Sequence, residues 1–194
     1  GSEMCIRDRV ATVIPYFKRF IKFIPNFSSL ARVKNKKLIK LWEGLGYYSR
    51  ARNLKKTAEV IIKNFKGNLP NNFDDLIRLP GVGDYTASAI LAIVFNKPYI
   101  PLDGNIERVL KRYLYLKKEK ETQKNNLIKQ KTIFGKSLRS SDYAQALMEL
   151  GALICKPRNP ICNECPISKK CKSYKKNDFD SVSYTHLTLP TINW

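Results

Sequence analysis

The chain is poor in acid. Its 194 residues carry 16 Asp and Glu against 36 Lys and Arg, a formal charge of +20. That imbalance makes a polyanion the first partner to consider. Long hydrophobic runs are missing too: no stretch reaches the roughly 18 apolar residues of a membrane span, so no membrane partner is expected. Residues 1–9 are polar and charged where an export signal needs an apolar run, so no signal peptide is expected. No alternating apolar–polar stretch competes for a β-strand, and no internal repeat is visible. What is present excludes a disordered basic tail, because 43% of the residues are hydrophobic and 11% aromatic. A chain of this length buries a core without needing disulfides or a metal to fold. Five cysteines without an export signal therefore point to a metal site before disulfides.

Both ends differ in character from the interior. Residues 1–9, Gly-Ser-Glu-Met-Cys-Ile-Arg-Asp-Arg, and 182–190, Val-Ser-Tyr-Thr-His-Leu-Thr-Leu-Pro, resemble translated transposase adapters used in shotgun sequencing. The expectation is that 1–9 and 181–194 are adapter artefacts. The natural segment would then run from about Val10 to Asp180, truncated at both ends. Setting these flanks aside removes Cys5 and the single histidine, His186, and leaves a thiolate-only set of four cysteines.

Between the flanks the periodicity is helical. Val13, Ile14, Phe17, Phe20, Ile21 and Ile24 recur at helical spacing. Leu38, Ile39 and Trp42 mark a second helix that stops at Gly44 and Gly46. Leu54, Ala58, Ile61, Ile62 and Phe65 mark a third. Asn72 suits the cap of a short helix that Pro80 ends. Thr86 to Phe95 is apolar on nearly every face and reads as a central buried helix. Asn105–Leu116 and Asp142–Ile154 complete the set, while Lys117–Lys131 reads as a charged loop. The fold class is all-α.

Cys155, Cys162, Cys165 and Cys171 stand as C-x6-C-x2-C-x5-C. Thiolates select zinc or iron–sulfur. A zinc ribbon normally brings two C-x2-C knuckles; one such pair with wider outer spacings suits a cubane cluster, with structural zinc as the alternative. Four protein ligands close such a centre, so its role is structural or redox rather than hydrolytic.

Leu79-Pro80-Gly81-Val82-Gly83 lies between two helices, where glycines permit a tight turn and exposed amides can hold a phosphate oxygen; an ordinary interhelical turn is the alternative. Asp103, in Leu102-Asp103-Gly104-Asn105, suits a helix cap, and the same placement suits a carboxylate facing a developing cation. Trp42 to Leu54 mixes aromatics, glycines and arginines. Tyr47 could wedge into a base stack, and Arg50 and Arg52 could hold phosphates; core tyrosines with solvated arginines are the alternative.

Together these motifs resemble the helix–hairpin–helix DNA glycosylases with an iron–sulfur cluster, and most closely their A/G-specific adenine branch. The resemblance runs from Val10 to about Tyr174. It implies a helical bundle over 10–116, with the helix–hairpin–helix at 73–95, and a lobe over 117–174 ending in the cluster loop at 155–171. DNA would lie between the two parts. It implies a [4Fe-4S] cluster on the four cysteines. It implies a monomer acting on double-stranded DNA with adenine opposite 8-oxoguanine or guanine, in a bacterial cytoplasm. The adenine would be flipped from the stack, Tyr47 would wedge beside the lesion, and Gly81, Val82, Gly83, Arg50, Arg52 and Asn105 would contact DNA. Asp103 would stabilise an oxocarbenium-like state, as carboxylates do in glycoside hydrolysis, with Tyr85 assisting by hydrogen bonding. The related endonuclease III type carries a Lys at the position of Tyr85. A phenol forms no imine, so a hydrolytic glycosylase without a lyase step is implied.

One element departs from the pattern. The acid Glu of the family falls at Ser2, and Glu3 misses by one residue, roughly a 100° turn of a helix. The neighbouring glutamines are replaced by Ile6, Arg7 and Arg9. The expectation is a chain with little or no excision activity of its own. The family's initial helix and C-terminal lobe find no counterpart, which predicts exposed apolar surface. A DNA-binding module without catalysis, an electron carrier and a glycosylase for another base are the competing readings.

Overall fold

The computed structural model describes residues 6–116 and 139–179, with side chains from Val13 onward. Residues 1–5, 117–138 and 180–194 lie outside the described residues, and with them Ser2, Glu3, the Lys117–Lys131 loop and most of both adapter-like flanks. No strand occurs among the described residues. No helix among them is long and apolar enough to cross a membrane.

The chain forms two compact units, Gly1–Gly83 and Asp84–Trp194. The first holds α1 (Ile6–Phe23), α2 (Phe27–Arg32), α3 (Asn35–Trp42), α4 (Tyr48–Phe65) and α5 (Phe73–Ile77). Asn26 caps α2: its Oδ1 accepts from the Ser29 amide at 2.9 Å while the Ser29 hydroxyl meets the Asn26 amide, a reciprocal capping box. Asn72 caps α5 through the Asp75 amide at 2.9 Å, as its sequence position suggests. Ile24, Leu30, Leu38, Leu41, Ala51 and Ala58 form the core, with Phe20 set edge-on to Trp42 at 6.0 Å.

Periodicity gives α1 its helix but does not decide its burial. Phe20 and, just past its end, Ile24 meet the core, while Val13, Ile14, Phe17, Ile21 and Phe23 are exposed. The apolar stripe is wider than the surface that α3 offers it.

The second unit holds α6 (Asp84–Ile93), α7 (Gly104–Leu114), α8 (Ser140–Glu149), a π-helical turn (Leu150–Ile154), two 3-10 turns (Cys162–Glu164 and Ser168–Lys170) and α9 (Lys172–Lys175). The expectation for Thr86–Phe95 needs correction. Ala87, Ser88, Leu91 and Ala92 are buried, but Ile93 and Val94 are exposed. One stripe of α6 meets α8, and ten residues are too few to enclose the remaining faces. Asp142–Ile154 likewise splits into α8 and the π turn. Ile106, Val109 and Leu110 of α7 pack with Leu147 and Leu150. That packing places α7 with the C-terminal segments, whereas the sequence reading grouped it with the residues before 117.

Candidate functional site

The hairpin begins where α5 ends. The Leu79 amide donates to Leu76 O at 3.1 Å and the Val82 amide to Leu79 O at 3.1 Å, which closes a tight turn around Pro80 and Gly81. Gly81 has φ +77°, and a Cβ there would lie 2.8 Å from Asn53 Cβ of α4. Both conditions select glycine. The Thr57 hydroxyl of α4 donates to Pro80 O at 2.7 Å and fixes the turn from behind. Gly83 differs: its Cβ position faces open space and its φ is ordinary, so no steric demand within the protein explains it.

The loop before α4 runs through three residues of positive φ. Gly44 and Gly46 have φ +94° and +67°, and Tyr47, a residue with a Cβ, has φ +47°. The Trp42 indole donates to Gly46 O at 3.0 Å, anchoring the loop to the core. A Cβ at Gly44 would overlap the Tyr16 hydroxyl. The result is a Tyr47 ring 67% exposed, with the Arg50 guanidinium 4.9 Å from its centroid. Arg52 is exposed one turn into α4. Tyr47 is thus held in a left-handed conformation with its side chain in solvent.

In the second unit Asp103 is a helix cap with one carboxylate oxygen to spare. It caps α7, with Oδ1 accepting from the Ile106 amide at 2.7 Å. Oδ2 is left to a long contact from Asn105 Nδ2 at 3.5 Å. Tyr85, in the first turn of α6, lies within electrostatic reach. Burial, and then the Asp103 carboxylate, push its phenol above the ordinary value of 10.0, so near neutrality it is a hydrogen-bond donor. A half-free carboxylate and a protonated phenol thus share one neighbourhood: a negative charge to face a cation, and a neutral donor beside it.

Two arginines that sequence reasoning missed organise the region. Arg108 is 2% exposed. Its Nε donates to Cys155 O at 2.7 Å, and its Nη2 to Asn105 Oδ1 at 2.9 Å and to Gly151 O at 2.5 Å. It therefore joins the Asp103–Asn105 turn to the start of the cysteine loop. Gly151 makes this possible, since a Cβ there would come within 2.8 Å of Asn105 Cβ. Arg112 is one helical turn further along. Its Nη1 donates to Lys156 O at 2.6 Å and its Nη2 to Pro157 O at 2.9 Å. No local signal marks them, since their acceptors lie more than 40 residues further along the chain.

Cys155, Cys162, Cys165 and Cys171 are free thiols that line one cavity, with Arg112, Ile154 and Ile167 in its wall. Arg112 Nη1 lies 3.6 Å from Cys155 Sγ, and Cys171 Sγ lies 3.5 Å from Arg112 O. Burial, and then the neighbouring sulfurs, push the Cys162 thiol upward. Cys165 is also raised, first by burial. The donor set fits a thiolate-ligated centre: four sulfurs on one cavity with a guanidinium at its wall. Among the described residues no three Cys, His, Asp or Glu side chains converge on a single-ion site.

The chain belongs to the HhH-GPD superfamily of base excision DNA repair proteins, whose family model matches residues 7–131. It is 42% identical over 183 residues to the adenine DNA glycosylase of Buchnera aphidicola subsp. Baizongia pistaciae, covering 94% of this chain and 52% of that protein. It thus spans about half the length of the curated relatives it matches. Among solved structures it superposes on a thermostable thymine-DNA glycosylase with a TM-score of 0.74 and 29% identity, covering 86% of this chain and 77% of that one. On a non-covalent endonuclease III–DNA complex the TM-score is 0.70 at 27% identity, covering 86% and 78%.

Proposed function

We propose that this chain carries the base-excision half of an adenine DNA glycosylase, which hydrolyses the N-glycosidic bond of adenine opposite 8-oxoguanine or guanine. The observation that carries the reading is the Asp103 carboxylate, whose Oδ2 keeps only a long contact from Asn105, with Tyr85 within its electrostatic reach. As the base departs, the sugar gains positive charge. Asp103 Oδ2, not consumed by capping, stabilises that charge. Tyr85 donates a hydrogen bond and, having no amine, forms no imine with the sugar. Water completes the reaction. The hairpin at Gly81 and the open Gly83 position suit the approach of a phosphate oxygen, the Val82 amide being taken by Leu79 O. Tyr47, with Arg50 stacked on it, suits insertion beside a flipped base, and Arg52 a backbone phosphate. The protein acts as a monomer. Cys155, Cys162, Cys165 and Cys171 would hold a [4Fe-4S] cluster; a thiolate-only set of four sulfurs on one cavity supports that reading. Bound there, a cluster would supply a structural or redox centre, while Arg108 and Arg112 of α7 hold the carbonyls of Cys155, Lys156 and Pro157.

The acid that protonates adenine corresponds to position 2, where this chain has Ser2, and Glu3 lies one residue out of register. Adenine release from an A·8-oxoguanine duplex under single-turnover conditions tests the assignment. The chain as written should release adenine slowly or not at all, and S2E should raise the rate. D103N in that background should lower it again by on the order of 100-fold or more. Full activity without the substitution would overturn the assignment of the acid. Duplex binding with no release by S2E would favour a DNA-binding module without catalysis.

A further inference from the structure

We propose that the α1/α3 face of the first unit is a second phosphate-backbone track for duplex DNA, continuous with the Tyr47 loop. This rests on the reading of the chain as a DNA-repair protein. Between Val10 and Trp42 the sequence has no Asp or Glu, while Lys18, Arg19, Lys22, Lys36, Lys37 and Lys40 fall on α1 and α3. Arg19, Lys37 and Lys40 border one cavity with Tyr16, Phe23 and Glu43. Glu43 is the single acid there, so the cavity keeps a net positive charge. The ion pairs found among the described residues involve other cations.

Two of these cations are also held in place. The Arg19 guanidinium lies 5.0 Å from the Tyr16 ring centroid and Lys37 Nζ lies 5.3 Å from that of Phe23. Arg19 Nη2 donates to Leu41 O at 3.3 Å. Stacking of this kind orders long side chains before a ligand arrives and reduces the entropy lost on binding. Tyr16 then connects the cavity to the strained loop, because its hydroxyl packs on Gly44, three residues before Tyr47. A strand whose bases meet Tyr47 would find this basic cavity along the same face of the unit. A cluster of three cations on one cavity, two of them ordered by stacking, matches a phosphate backbone and carries no sequence preference.

The test uses the full chain and a labelled DNA duplex, titrated with salt. Replacing Arg19, Lys37 and Lys40 together by Gln should flatten the slope of log affinity against log salt by about 2 to 3, close to one per lost phosphate contact. K63Q/K66Q, which removes exposed cations from the end of α4, should change it much less per charge. Independently, duplex should slow amine labelling of Lys37 and Lys40 in the unsubstituted chain severalfold and leave Lys63 unchanged. If the chain binds duplex but the triple variant keeps its slope and Lys37 and Lys40 label equally with and without DNA, the track is wrong and the functional reading stands. No duplex binding by the unsubstituted chain overturns both. Protection of Lys37 and Lys40 by heparin but not by duplex also overturns the DNA assignment.

Discussion

In the first unit helices meet through hydrocarbon. Leu30, Leu38, Leu41 and Ala58 interlock, and polar groups serve mainly as caps and loop anchors. In the second unit the apolar contacts of Ile106, Val109, Leu110, Leu147 and Leu150 are joined by two guanidiniums spread over backbone carbonyls. Arg108 reaches Gly151 and Cys155, and Arg112 reaches Lys156 and Pro157. The difference follows from what each unit must hold. Regular helices present side chains to one another. A cysteine loop presents carbonyls, which need donors when buried. Arg is suited to this, because its fixed fork serves several acceptors and it needs no carboxylate to stay charged.

The sharpest way to break this comparison is R108L. It keeps much of the bulk but leaves Gly151 O, Cys155 O and Asn105 Oδ1 without their donor, at about 3–5 kcal/mol in total. Urea unfolding followed by circular dichroism measures that loss. R108K should recover less than half of it, since an ammonium cannot reproduce the fork. If R108L were as stable as the parent, the apolar contacts alone would hold the second unit and the contrast would fail. The same variant should also lower adenine release in the S2E background, because Asn105 loses its support beside Asp103.

The complementary substitution in the first unit is L38A. Leu38 is 1% exposed, and the lost transfer energy plus residual cavity should cost about 3 kcal/mol. Here a volume-conserving L38M should restore most of the stability, whereas no apolar substitute restores Arg108. That asymmetry is the comparison in its most measurable form.

The two units were also unequally legible in the sequence. Leu38, Ala58 and Ile61 recur with the helical period, and burial follows the period. For Arg108 and Arg112 the period misleads: basic residues four apart on an amphipathic helix read as a solvated face, because nothing local shows that a loop some 45 residues later brings carbonyls to them. The cysteine spacing is visible in the chain, but its Arg112 partner is not. Asp103 was legible as a cap from its neighbours; its proximity to Tyr85 came only through the family resemblance. The converse failure is α1, whose apolar stripe predicts a helix correctly but says nothing about whether a partner surface covers it.

G81A should have a smaller effect than either core substitution. Its left-handed φ and the approach of Asn53 together should cost about 1–3 kcal/mol. It should also weaken duplex binding, because the hairpin must move away from α4 to admit the methyl group. G83A, with open space at its Cβ, should leave thermal stability nearly unchanged. A large loss of DNA affinity in G83A at parental stability would place the phosphate contact at that glycine.

The smallest effect concerns pH and belongs to the second unit alone. Burial and the Asp103 charge raise the Tyr85 phenol above 10.0 in the folded protein, whereas in the unfolded chain it titrates near the ordinary value of about 10. The folded state therefore holds this proton more tightly. Its contribution to stability is fully present below the unfolded value and is lost as pH rises through the folded one. Between those two values the unfolded chain ionises first, so stability should decline on the alkaline side more steeply in the parent than in Y85F. The parent-minus-Y85F difference in phenolate absorbance isolates this one tyrosine, and D103N should move its titration back toward 10.0 without fully restoring it, since burial is the larger cause. An unshifted titration in the parent would mean that Asp103 and Tyr85 do not face each other in solution. The carboxylate would then be a helix cap and nothing more, and the excision chemistry would need another cation-stabilising group.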